Sequence, residues 1–170
     1  YFRNLGNVPS YTSFSSAGSQ AALTRWIDGF PVIRQWTDPI QYSCQKNFIL
    51  GIGDVYTHRD RNVPGSTITS GDEPAVPTEV SSDTTVNATT ANIMVGQLEG
   101  LANQGTYSSG RNNSYYIAGL AYDAHTKDIR PETTLPGAQT ISTYWLDVRE
   151  NQTYLSRNQY WLAAKYGGFE

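Results

Sequence analysis

The sequence predicts an α/β fold whose strands run in parallel and are joined through helices. Phe48, Ile49, Leu50 and Ile52 form a short, nearly unbroken apolar run that ends in Gly53 and Asp54. A strand buried on both faces reads this way. Residues 139–149 (Gln-Thr-Ile-Ser-Thr-Tyr-Trp-Leu-Asp-Val-Arg) are rich in β-branched and aromatic side chains and predict a second strand. Two stretches of helical periodicity lie between the strands and a third follows them. Strands separated by helices pair in parallel through right-handed crossovers. Ligands gather at the carboxyl ends of such strands, which makes Asp54 the first candidate for chemistry.

Taken in order, Tyr1-Phe-Arg-Asn-Leu-Gly6 reads as a helix end, and the chain as a piece of something longer. Residues 7–18 are turn formers and predict a loop. Ser19 is placed to cap a short helix over residues 20–27, which Gly29 and Pro31 end. Residues 32–36 read as a short extended piece, and Asp38-Pro39 as a turn before the central strand at 47–53. Residues 55–90 lose periodicity and hold Pro64, Pro74, Pro77 and a Ser/Thr tract over 81–90. A structureless insert of that length is usually functional or disordered; here it reads as a solvated loop.

Met94, Gln97, Leu98 and Leu101 then share one helical face, with Thr89 or Thr90 as cap and Gly105 just beyond. Ile117, Leu120, Ala121 and Ala124 repeat the pattern, capped by Asn113 or Ser114 and closed by Pro131 and Pro136-Gly137. A last helix is expected over 158–166, stopped by Gly167-Gly168. There is no internal repeat.

At 170 residues the chain suits one domain with a real core. A net charge of −3, with 16% charged residues, gives no long-range attraction to nucleic acid or acidic membranes. Twelve tyrosines, four tryptophans and fifteen glycines, with abundant Ser, Thr and Asn, fit an exported protein with a polar surface. Cys44 is the single cysteine, which excludes an intrachain disulfide and multi-thiolate zinc sites. In an exported protein it is either buried or paired with something outside these residues, and the preferred reading is a small buried hydrophobe leading into the central strand. No apolar run approaches the roughly 18 residues of a membrane span.

Several motifs fall short of chemistry. Gly51-Ile-Gly53 lacks the third glycine of a dinucleotide fingerprint, since position 56 is Tyr, and no helix opens there. His58-Arg59-Asp60 has none of the other kinase signatures around it. There is no Gly-x-Ser-x-Gly elbow, and only His58 and His125 could serve as a base. His125 sits near a helix end, where the dipole favours it. His58 with Asp54 and Asp60 could assist a metal-dependent hydrolysis, but a solvated loop histidine is the preferred reading. Asn87-Ala-Thr89, Asn112-Asn-Ser114 and Asn151-Gln-Thr153 match the glycosylation pattern, a weak signal in a chain this rich in Asn, Ser and Thr. Asp54 has two readings: an oxygen ligand for a hard divalent cation, or a carboxylate satisfied by backbone N–H groups of the next turn.

Four stretches carry a resemblance. They are Tyr42-Ser-Cys-Gln-Lys-Asn-Phe-Ile-Leu-Gly-Ile-Gly-Asp-Val-Tyr56, Ile117-Ala-Gly-Leu-Ala-Tyr-Asp-Ala-His-Thr-Lys-Asp-Ile-Arg130, Thr140-Ile-Ser-Thr-Tyr-Trp-Leu-Asp-Val148 and Asn158-Gln-Tyr-Trp-Leu-Ala-Ala-Lys-Tyr-Gly-Gly-Phe169. In this order and spacing they resemble the PilC/PilY family of type IV pilus tip-associated adhesins, from about Ile33 onward. The resemblance implies that residues 1–170 are the C-terminal part of a von Willebrand factor A-like domain. That domain is a doubly wound sheet with helices on both faces, here with a long insert at 55–90. The family's β-propeller is absent from these residues.

The resemblance further implies a non-enzymatic protein at the bacterial outer surface or pilus tip, serving pilus extension, surface attachment and twitching motility. Its expected partners are minor pilins or the tip complex, a host or abiotic surface, and the remainder of a longer adhesin chain. The alternative is an assembly component that binds minor pilins and no receptor. Such domains hold Mg²⁺ or Ca²⁺ through an Asp-x-Ser-x-Ser loop, a Thr and a later Asp. Asp54 matches the last of these, and no Asp-x-Ser-x-Ser occurs here. A half-sheet of this kind is expected to expose an unpaired edge and apolar faces.

Overall fold

The computed structural model describes residues 1–4, 37–53, 62–68, 76, 78–101, 115–131, 135–148 and 158–168. In chain order the elements are β1 (Asn47–Gly53), α1 (Thr78–Ser81), α2 (Ala88–Leu98), α3 (Tyr116–Thr126), β2 (Ile141–Asp147) and α4 (Gln159–Gly167). The two strands pair in parallel, from Asn47 opposite Ile141 to Gly53 opposite Asp147. β1 spans the residues expected of it, but it is not buried on both faces, since Phe48, Leu50 and Ile52 are exposed; β2 lies inside its expected stretch.

Helices α3 and α4 pack on each other and on β2. Ile141 and Thr143 are buried beneath them, while Tyr144 and Leu146 point away and are exposed. The sequence reading expected helices on both faces; these two described helices cover one. A right-handed crossover from β1 to β2 places its helices on one side of the sheet. The helix after β2 lies on that same side, as it does when the winding continues in one direction.

The core brings Val95 of α2, Ala118 and Ala121 of α3, and Leu162 and Ala163 of α4 together, edged by Ile117, Tyr122 and Tyr166. The α2–α3 approach is close. A Cβ on Gly119 would lie 2.5 Å from the Asn92 nitrogen and 2.7 Å from the Ala91 carbonyl carbon. Small residues therefore face inward on α2, where Ala88, Ala91, Asn92, Val95 and Gly96 are buried. Met94 and Leu98, expected on the buried face, are exposed. The cap also differs: Asn87 Oδ1 accepts from Thr90 N at 2.9 Å, in place of a Thr89 or Thr90 cap. On α3 no side chain caps the first turn from Tyr115, and Asn113 and Ser114 lie outside the described residues. Glu99, just past α2, accepts hydrogen bonds from Lys165 and Tyr166 of α4. These two bonds hold its carboxyl below the ordinary range.

The 55–90 stretch is not structureless throughout. Ile68 is buried with Ala88 and Tyr116, flanked by Val63 and Leu120. Ala88 N donates to Pro64 O at 2.8 Å, and the Tyr116 hydroxyl accepts from Thr67 N at 3.0 Å. Gly65, at φ +74°, lies against the Asn87 side chain, where a Cβ would meet it at 2.5 Å. Hydrogen bonds to neighbours, not side-chain periodicity, order this segment, and periodicity was the feature available in sequence.

Cys44 is exposed, not buried. It sits in a turn in which Gln45 N donates to Tyr42 O at 3.1 Å and Gln45 Nε2 to Pro39 O at 2.6 Å. These bonds occupy the inner side of the turn, so the thiol faces solvent.

One ion pair ties remote segments together. The Arg130 side chain is 3% exposed. Its Nη1 and Nη2 donate to the two Asp38 oxygens at 2.7 and 2.5 Å, and its Nε donates to Phe2 O at 2.6 Å. Asp38 Oδ1 also accepts from Ile40 N at 2.9 Å, beside the buried Ile40 side chain. Arg3 reaches Asp83 at 2.9 Å, a second tie to the same N-terminal segment.

The Arg130 hydrogen bond holds the Asp38 carboxyl below its ordinary value. A depressed folded-state value contributes stability that is present above the unfolded carboxyl pKa and is lost as pH falls through the folded one. Arg130→Gln is expected to cost about 2–4 kcal/mol at pH 7, because it strands a partly buried carboxylate and a carbonyl. Urea unfolding at pH 7 and then at progressively lower pH checks this. The gap between variant and parent should narrow as Asp38 protonates; a gap independent of pH would remove the pair from the account.

Candidate functional site

The carboxyl edge of the sheet is built around one aromatic contact. Trp145 on β2 lies across β1, so that a Cβ on Gly51 would overlap the six-membered ring of its indole. A Cβ on Gly53 would come within 3.1 Å of the same ring system and 3.5 Å of the Tyr160 hydroxyl. On its other side Trp145 stacks on Tyr160 of α4, with centroids 4.1 Å apart and planes 4° from parallel. Gly51 and Gly53 are thus the space that the indole occupies. The Gly-x-Gly spacing has a packing cause here and needs no phosphate.

Asp147 closes β2 opposite Gly53, and Val148 N continues the ladder to Gly53 O at 2.8 Å. Its Oδ2 accepts from Asn158 Nδ2 at 3.4 Å. Asn158 in turn caps α4, its Oδ1 accepting from Tyr160 N at 2.8 Å and Trp161 N at 3.1 Å. Asp147 Oδ1 is buried without a hydrogen-bond partner among the described residues. Sequence reasoning passed over Asp147, because in a strand-like run it registers only as an outlier in polarity. The register that sets it beside Gly53 emerges only from the pairing.

Asp54, His58 and Asp60 lie outside the described residues. Among the described residues no three His, Cys, Asp or Glu side chains gather as a cation site. Asp147 and Asn158 provide too few oxygens for Mg²⁺ or Ca²⁺, which take six or more. The described residues do not by themselves fit a divalent ion. His125 stands in the last turn of α3 as expected, with Nδ1 buried and unpartnered among the described residues. Asn87, of the first glycosylation-like triplet, serves as the α2 cap; Asn112 and Asn151 lie outside the described residues.

A cavity of about 500 Å³ lies on the helix-covered side of the sheet. Ile49, Ile117, Leu120, Ile141 and Trp145 give it apolar walls, and Arg3, Asp123, Lys127 and Arg130 also line it. Those charges already have partners in Asp83, in each other (Asp123 with Lys127) and in Asp38, and Asp128, which also lines the cavity, accepts from Arg130 N and Gln139 N through Oδ1. What the cavity offers a ligand is therefore chiefly apolar contact.

No family model matches the chain, and no solved structure matches it. Among curated proteins it is similar to a Xylella fastidiosa (strain Temecula1 / ATCC 700964) protein described as a type IV pilus biogenesis factor PilY1 homolog, at 46% identity. The alignment covers 185 positions and takes in all of this chain. The chain spans 15% of the length of that relative. The resemblance to the PilC/PilY family therefore runs along the whole chain.

If Trp145 needs the room left by Gly51, Gly51→Ala should destabilise the protein by about 1–3 kcal/mol through overpacking. Combined with Trp145→Leu, most of the Gly51→Ala cost should disappear, a coupling on the order of 1 kcal/mol or more. A double-mutant cycle by urea unfolding reads both numbers, and additive costs would show that the two residues do not meet.

Proposed function

We propose that this chain, related throughout its length to a pilus biogenesis factor, is part of a non-enzymatic type IV pilus protein that mediates surface attachment and twitching motility. It would act at the bacterial surface or pilus tip. The supporting observation is the 46% identity along the entire chain to a relative described as a type IV pilus biogenesis factor. An exported-type composition, with many Tyr, Gly, Ser, Thr and Asn, agrees with that location. In this reading the domain is the C-terminal part of a von Willebrand factor A-like sheet, and its parallel strands and crossover helices are consistent with one. Any Mg²⁺ or Ca²⁺ at Asp54 would need oxygen ligands from outside the described residues.

A second reading, an assembly component that binds minor pilins and no receptor, is favoured by a different feature. Leu50, Ile52 and Leu146 form an exposed apolar surface on the sheet, better suited to protein contact than to a polar receptor.

The 55–90 stretch is the proposed contact region, and its ends are fixed to the fold by Pro64, Ile68 and Ala88. Replacing residues 69–75 with a Gly/Ser linker of equal length spares these anchors. In bacteria carrying the parent protein, attachment and twitching are expected to fall while pilus number stays normal. Unchanged attachment would remove the contact role. Loss of minor-pilin capture in a pull-down, with attachment intact, would favour the assembly reading.

A further inference from the structure

Residues 62–68 form neither helix nor strand, and the first turns of α2 and α3 hold them. Pro64 O accepts from Ala88 N at 2.8 Å, and Gly65 O accepts from the Thr89 hydroxyl at 2.6 Å. Thr67 N donates to the Tyr116 hydroxyl oxygen at 3.0 Å, and the Thr67 hydroxyl lies 3.0 Å from the same atom. Thr89 Oγ1 is 3.2 Å from it as well. The Tyr116 oxygen is thus the point at which the segment, α2 and α3 meet. Its ring, 3% exposed, is buried against Ile68 and Ala88.

We propose that the Tyr116 hydroxyl is a lock, fastening residues 62–68 and the first turn of α3 into one unit that opens while the sheet and α4 stay closed. Tyr116 is thereby the positioning residue of the contact region, a step that rests on the role proposed above for the 55–90 stretch. Three observations carry the lock. The first is proton supply. The Thr89 hydroxyl has one proton and Gly65 O is its nearer acceptor. The firm donor to the Tyr116 oxygen is therefore the Thr67 backbone, and removing that oxygen takes away the acceptor of this amide.

The second observation is capping. The first N–H groups of a helix have no partner within it. Asn87 and Asn158 serve α2 and α4 in that role, whereas no side chain caps the first turn of α3. The start of α3 relies instead on what Tyr116 grips. The third is separation. Ile68, Ala88 and Tyr116 form a cluster of their own among the described residues, distinct from the core of Val95, Ala118, Ala121, Leu162 and Ala163. A unit with its own small cluster and irregular backbone is the kind that opens locally, below the free energy of global unfolding.

The test is amide hydrogen exchange of the full-length parent protein and its Tyr116→Phe variant, beside attachment by bacteria carrying each. Phe keeps the ring among Ile68 and Ala88 and removes only the oxygen. Exchange at Thr67, Ala118 and Gly119 is expected to rise about tenfold, the loss of one hydrogen bond from local stability. β1, β2 and α4 should exchange as in the parent, and attachment should fall at normal pilus number. Thr89→Val, which removes the hydroxyl on Gly65 O from the α2 side, should release the same residues. Parent-like exchange at Thr67 in Tyr116→Phe would overturn the lock. So would a rise shared equally by β1, β2 and α4, which would reduce the hydroxyl to a contributor to global stability. Local release with unchanged attachment would uphold the lock and overturn the contact role of the 55–90 stretch instead.

Discussion

The fold rests on the contact between Trp145 and the bare backbone of Gly51 and Gly53. Without a Cβ at those positions β1 can lie beneath an indole, and the indole can lie flat on Tyr160 of α4. One aromatic side chain thereby fixes the β1–β2 register and seats α4 over the sheet. It also forms a wall of the cavity beside α3. Gly168 and Gly167 repeat the device further along: a Cβ on Gly168 would overlap the Thr143 carbonyl oxygen of β2, and one on Gly167 would lie 2.6 Å from the Ala121 Cβ of α3. Close approach through glycine and alanine is the common principle of this core, from Gly119 against Ala91 to Ala163 among Val95, Ala118 and Leu162.

That principle explains which parts of the structure were legible in the sequence. β1 was readable to the residue because an apolar run flanked by Asn47 and Gly53 admits few alternatives. α4 was readable because Asn158 and Gly168 punctuate it. The buried face of α2 was misassigned because hydrophobic periodicity weights Met94 and Leu98 above Ala88 and Ala91, whereas a close helix pair selects for smallness. Cys44 was misassigned for a related reason: it lies exposed in a turn whose hydrogen bonds are made by Gln41 and Gln45, polar residues that apolar patterning ignores. The Arg130–Asp38 pair joins residues 92 apart, and nothing local announces it. Of the carboxyl edge, Asp54 was singled out by position in the chain, while Asp147 becomes visible only through the pairing.

The same geometry connects to function through what the sheet leaves open. One side is closed by α3 and α4 with an interior of small residues, and the ionic ties of Arg130 and Arg3 hold the N-terminal residues to it. The opposite side presents Leu50, Ile52 and Leu146 to solvent. Among the described residues the sheet is therefore asymmetric, with one face under helices and the other apolar and exposed. That asymmetry suits a segment whose relative is a much longer pilus biogenesis factor.

The most direct measurement is the proton chemical shift of the Gly51 Hα pair, assigned by NMR in isotopically labelled protein. With the indole of Trp145 stacked against this residue, ring-current shielding should move at least one Gly51 Hα well upfield of an ordinary strand glycine, and Trp145→Leu should return it. An unshifted Gly51 resonance in the folded protein would contradict the contact, and with it the register and the seat of α4.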